Sequence, residues 1–153
     1  MNDYSSALKY AFLLLKYRPR STQEITDRLA NKQYSPQVIK KVLAHLIQHR
    51  FVDDGQFARL FVSSSSSKGW GKRKIAYALH KLGVPKDLSA QALNDDSYYR
   101  SRLNHLMEKK LEKLKGQKSA YPKLMRYLAS KGFDYNEIAR ALQEFKIDVY
   151  ENR

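Results

Sequence analysis

Cysteine is absent from the 153 residues, which removes disulfides, thiolate catalysis and cysteine-bound metal from consideration. Long apolar runs are missing as well. The longest early one, Ala11 to Leu15, falls far short of the roughly 20 residues that a bilayer crossing takes. The start, Met1-Asn2-Asp3-Tyr4-Ser5-Ser6, lacks the basic opening of a secretory signal. A cytoplasmic protein without membrane contact is the expectation. Acidic residues are scarce, 15 Asp plus Glu against 29 Lys plus Arg, for a formal net charge of +14 and a pI near 9.9. Such an excess attracts polyanions, because each phosphate neutralised by a side chain releases condensed counterions. Charge alone does not separate DNA from RNA or from an acidic protein surface.

What is present is a threefold repeat. When Ile25 to Leu43, Ile75 to Leu93 and Leu124 to Leu142 are superimposed, four apolar columns coincide without a gap. They are Ile25, Ile75 and Leu124; Leu29, Leu79 and Leu128; Tyr34, Val84 and Phe133; and Leu43, Leu93 and Leu142. The first two columns are spaced i, i+4, which puts them on one helix face. Gly83 and Gly132 then suit the left-handed residue that ends a helix, and a second helix carries the final leucine.

Start signals fall at the same boundaries. Ser21-Thr22-Gln23-Glu24 and Asp134-Tyr135-Asn136-Glu137 have the spacing of a capping box. Ser35-Pro36 reads as an N-cap with proline in the first helical position, and Asp53-Asp54 as an acidic cap ahead of Phe57, Leu60 and Phe61. One further helix precedes each pair, over about Tyr4 to Tyr17, Asp54 to Ser65 and Ser97 to Lys115. The first of these carries the stripe Ala7, Leu8, Ala11, Phe12 and Leu15. No alternating apolar pattern with turn signals is present, so no sheet is expected. The fold class is all-α: three tandem three-helix repeats over 1–51, 52–95 and 96–153, forming an elongated, curved array with an acidic C-terminal tail.

The segment Arg18-Pro19-Arg20-Ser21-Thr22-Gln23-Glu24-Ile25 resembles the entrance to the first repeat of the RecX regulators. Asp53-Asp54-Gly55-Gln56-Phe57-Ala58-Arg59-Leu60-Phe61-Val62 is similar to that family's second signature. Gly71-Lys72-Arg73-Lys74-Ile75 with Leu79 and Lys81-Leu82-Gly83-Val84 looks like its middle repeat, and Lys131-Gly132-Phe133 with Ile138 and Leu142 its last. The likeness spans about residues 5 to 146. Two positions depart from the pattern: Ser63 to Ser67 is uninterrupted serine where the family carries arginines, and Lys72 stands where it often has proline. The resemblance implies a non-enzymatic regulator that lodges in the groove of the RecA filament and restrains strand exchange, ATP hydrolysis and co-protease activity. Its implied partners are RecA and single-stranded DNA, with double-stranded DNA a further candidate; a monomer is expected, without cofactor.

The residues themselves offer little for catalysis. His45 and His49 are spaced for two metal ligands but lack the intervening glutamate of a zinc hydrolase helix, and His80 and His105 have no recognisable partner. Gly69-Trp70-Gly71-Lys72 lacks the spacing of a phosphate loop. Basic clusters are the stronger candidates. Arg18 and Arg20 flank Pro19, so both can project from one exposed corner. Lys68, Lys72, Arg73 and Lys74 surround Trp70 at a helix start, where amides add positive potential. Trp70 either stacks on a base or a partner, or packs on its own helices. Lys109 and Lys113, with Lys123 and Arg126, give a basic face beyond. The alternative function is an autonomous helix-turn-helix-like DNA-binding protein, for which the chain offers only Gln37, Lys40, Lys41 and Gln91.

Overall fold

The computed structural model describes residues 3–94 and 96–151. Met1 and Asn2, the boundary residue Asp95, and the last two positions of the tail lie outside the described residues. Among those described, every regular element is a helix: α1 (Asp3–Tyr17), α2 (Thr22–Asn31), α3 (Pro36–Gln48), α4 (Asp54–Ser67), α5 (Lys72–Lys81), α6 (Lys86–Ala92), α7 (Asp96–Lys113), α8 (Ala120–Ser130) and α9 (Tyr135–Glu151). Helix boundaries fall where the caps predict. Ser21 Oγ accepts from Glu24 N–H while the Glu24 carboxylate accepts from Ser21 N–H, closing the capping box. Asp134 and Glu137 exchange the same pair of bonds ahead of α9. Ser35 caps α3 through Val38 N–H, and Asp53 caps α4 through Gln56 N–H.

The chain forms two compact units, residues 1–60 with 78–92 and residues 61–77 with 93–153, so the second repeat contributes to both. In the first unit α1 packs on α2 and α3, burying Ala7, Ala11, Leu14, Ile25, Leu29, Ile39, Val42, Leu46 and Val52. The stripe on α1 is centred one position round from the expected one: Leu14 is buried, and Leu8, Phe12 and Leu15 flank it half-buried. In the second unit α7 packs on α8 and α9 around Leu103, Met107, Leu124, Leu128, Phe133 and Ile138.

The four columns are not equal. Ile25, Ile75 and Leu124, and Leu29, Leu79 and Leu128, are wholly inaccessible. In the third column Val84 and Phe133 are buried and Tyr34 is half-buried; in the fourth only Leu142 is buried. One column escaped the sequence reading, that of Ile39, Ser89 and Ile138, all buried. Its second member is polar, with a hydroxyl that makes no hydrogen bond, and it sits in α6, a helix of 7 residues against 13 in α3 and 17 in α9. A short third helix with serine at its inward position buries little apolar surface. The middle repeat is divided between the two units.

Each unit contains one copy of the same junction. In the first, buried Ser21 donates its hydroxyl to Leu82 O at 2.6 Å, and a Cβ on Gly83 would stand 2.3 Å from Gln23 Cβ. In the second, Gly71 N–H, at the position equivalent to Ser21, donates to Lys131 O at 2.7 Å. There a Cβ on Gly132 would stand 2.4 Å from Lys74 Cβ and 2.7 Å from Lys74 N. The last carbonyls of one repeat's second helix thus satisfy donors at the start of the preceding repeat's second helix. Gly83 and Gly132 hold φ of +74° and +98°, and the close approach admits no side chain. The corresponding position of the first repeat is Gln33, which keeps the left-handed φ of 66° and is exposed.

The serine run, expected as a loop beyond about Ser65, is instead the last turns of α4, with Ser65 and Ser66 buried. Arg102 from α7 donates through Nε to Ser66 O and through Nη2 to Ser67 O, so a cation meets the carbonyl end of that helix.

Candidate nucleic-acid and partner interface

The corner built by Arg18-Pro19-Arg20 lies in the first unit. Glu24 organises it: the carboxylate that closes the α2 capping box also accepts two bonds from the Arg18 guanidinium. Arg20 Nη1 stands 3.9 Å from the same carboxylate. Asp54 adds a further bond to the α2 start, accepting from Thr22 N–H at 2.8 Å. The expectation that both arginines project from an exposed corner holds for Arg18, whose side chain is 48% exposed, and fails for Arg20 at 11%. Burial pushes the Arg20 guanidinium below its ordinary pKa, with Arg18 adding to the fall and Glu24 opposing it.

The loop between α4 and α5, which carries Trp70, lies in the second unit. The indole is half-buried, edge-on to Phe61 at 6.5 Å between ring centroids, and Lys74 Nζ stands 4.4 Å from its centroid. Trp70 therefore packs on its own helices with a lysine over its face, a cation–π contact. Lys72 Nζ likewise lies 5.1 Å from the Tyr99 ring. Both lysines are half-buried, whereas Lys68 and Arg73 are exposed. Arg73 N–H is taken by Gly132 O and Gly71 N–H by Lys131 O, so these two amides at the α5 start serve the junction.

Along α7, Lys109 and Lys113 are exposed one turn apart, and on α8 Lys123 and Arg126 are exposed. Lys123 Nζ donates to Gln117 Oε1 and Arg126 Nε to Pro122 O, both at the surface. Sequence reasoning passed over Tyr127 in the same unit: Lys110 Nζ stands 4.6 Å and Lys131 Nζ 5.7 Å from its ring centroid. The i, i+4 relation of Tyr127 to Lys131 was available as a signal; that of Lys110, on another helix, was not. Arg102 was likewise passed over, because its partners are 35 and 36 residues away.

Among the described residues no group of three His, Asp or Glu side chains is placed to hold a metal ion. His45 and His49 face each other at 4.4 Å, with His45 also edge-on to Phe12. The adjacent carboxylates Asp53 and Asp54 are engaged at helix starts.

Comparison with known proteins decides the family. Models of the first, second and third three-helix domains of RecX match residues 7–46, 53–93 and 97–142 in that order. The chain belongs to the RecX family. The regulatory protein RecX of Prosthecochloris aestuarii is 36% identical over 145 residues, covering 94% of this chain and 95% of its own. That of Serratia proteamaculans is 32% identical, covering 95% and 99%. The crystal structure of RecX from Lactobacillus salivarius superimposes with a TM-score of 0.86 at 23% identity, over 95% of this chain and 97% of that one, which shows a shared fold. The relatives carry the name of regulatory proteins, and RecX domains account for all three repeats. No described helix is long and apolar enough to cross a membrane.

Proposed function

We propose that this RecX-family chain is a cytoplasmic, non-enzymatic regulator that binds RecA and RecA–single-stranded DNA filaments and restrains RecA ATP hydrolysis, strand exchange and co-protease activity. The observation that carries it is the match of three RecX domains, in order, over residues 7–142. Charge supports it. The net +14 includes exposed Lys68, Arg73, Lys109, Lys113, Lys123 and Arg126 in one unit, cations suited to a phosphate backbone. Lys72, Lys74 and Trp70 act in this reading as the packed support of Arg73, and Arg18 is the outer cation of the other unit.

The test is RecA ATP turnover on single-stranded DNA with the chain added from substoichiometric to equimolar amounts, alongside co-sedimentation with the filament. Reduced turnover and retention at moderate salt are expected. Unchanged turnover with no retention refutes the assignment. The second reading, an autonomous DNA-binding module, draws on the exposure of Gln37, Lys40 and Lys41 on α3. It requires sequence-selective binding to duplex DNA without RecA.

A further inference from the structure

Two histidines that the regulatory reading leaves unused stand at the C-terminal end of α3, in the first unit. His45 lies in the last turn and His49 is the C-cap; His49 N–H donates to His45 O at 3.1 Å, so helical register carries through the pair. Their ring centroids are 4.4 Å apart and the planes are inclined by 50°. His45 is half-buried and edge-on to Phe12, which is itself edge-on to Phe51 at 4.9 Å, so one ring of the pair is held from behind. His49 is exposed. A metal ion bound by two imidazole nitrogens at about 2.0–2.1 Å and a right angle sets the ring centroids roughly 4.5 Å apart. The observed spacing matches that of two neighbouring ligands. The helix end adds an attraction, because its last carbonyls carry partial negative charge.

We propose that His45 and His49 form a two-nitrogen site for a late transition-metal ion, Cu²⁺ foremost, with the remaining positions open to water or an exogenous donor. The donor set selects the class of metal. Neutral imidazole suits the late first-row ions, among which Cu²⁺ binds nitrogen most tightly and takes ligands at right angles. Hard dications such as Mg²⁺ need carboxylate or phosphate oxygens. Here the chain offers cations instead: Lys41 one turn earlier, Arg50 next in sequence, and a net charge of +14. Two protein ligands make an open site rather than a closed structural cage. The inference goes beyond the regulatory reading and stands or falls without it.

The test titrates the 153-residue chain, without a histidine tag, with Cu²⁺ alone in a non-coordinating buffer, followed by calorimetry and electron paramagnetic resonance. One tightly bound equivalent is expected, its spectrum showing nitrogen couplings from two imidazoles. His49→Gln changes an exposed residue and should weaken binding by about ten-fold or more with unchanged circular dichroism. His45→Gln should weaken it as much, and either variant should retain one imidazole at most. His80→Gln and His105→Gln, both at exposed positions, should match the parent chain in both readouts. Zn²⁺ should bind more weakly than Cu²⁺, and Mg²⁺ should give no heat. A parent spectrum with a single imidazole, Cu²⁺ binding unaltered by His49→Gln, or loss of the bound equivalent in His80→Gln or His105→Gln overturns the proposal.

Discussion

Replacing Gly132 by Ala tests the repeated junction most directly, because Gly116 supplies an internal control. Both glycines hold a left-handed φ, +98° and +81°, which costs an L-residue about 1–2 kcal/mol. They differ in surroundings. A Cβ at Gly116 meets nothing within 4 Å, whereas at Gly132 it falls 2.4 Å from Lys74 Cβ and 2.7 Å from Lys74 N. The latter is backbone and cannot rotate away, so α8 must withdraw from the start of α5, stretching the 2.7 Å bond from Gly71 N–H to Lys131 O. Overpacking of that kind costs about 1–3 kcal/mol beyond the dihedral strain. Gly116→Ala should therefore lose about 1–2 kcal/mol and Gly132→Ala about 2–5 kcal/mol in urea unfolding followed by far-ultraviolet circular dichroism. The slope against denaturant should be unchanged if only the folded state is affected. Equal losses for the two variants would show that the end of α8 and the start of α5 do not meet at Gly132.

Further perturbations separate the other contacts. Ser21→Ala removes an N-cap and orphans Leu82 O in one step, so it should cost about 2–3 kcal/mol in thermal unfolding; a loss below 0.5 kcal/mol is inconsistent with either role. Lys74→Met should alter the fluorescence of Trp70, the sole tryptophan, while Arg73→Gln leaves it unchanged. The same Arg73→Gln should lower the magnitude of the log–log salt slope for single-stranded DNA by about 0.7, as should Lys109→Gln. A slope equal to that of the parent chain means that the residue faces only water. Arg102→Met should speed amide hydrogen exchange over Ser65 to Trp70 without touching α8 or α9; uniform exchange rates would contradict its role at the end of α4.

The candidate site was readable in the sequence only in part. The exposure of the cations on α7 and α8 was readable because i, i+4 spacing and local density are properties of a short stretch, and a long side chain on an outward face stays exposed whatever the fold does elsewhere. The burial of Arg20 and the ring contact of Lys74 were not readable, for the opposite reason. Each is a cation in a basic stretch, yet the Arg20 side chain is only 11% exposed, 3.9 Å from the Glu24 carboxylate, and Lys74 lies across an indole. Local charge density carries no information about which apolar surface a long aliphatic stem will cover.

Local pattern set the helices, their caps and the repeat, because hydrogen bonds three and four residues apart and a 3.6-residue apolar period are local consequences of the chain. It also determined where glycine must stand, in the second and third repeats but not the first. What those glycines face, the carbonyl 61 residues away that Ser21 reaches, and the division of the middle repeat between two units came from tertiary packing alone. Those contacts join segments with no periodic relation in the chain. They are selected by whichever packing buries Ile25, Ile75 and Leu124 together with their partners, a condition on the whole fold rather than on any one stretch.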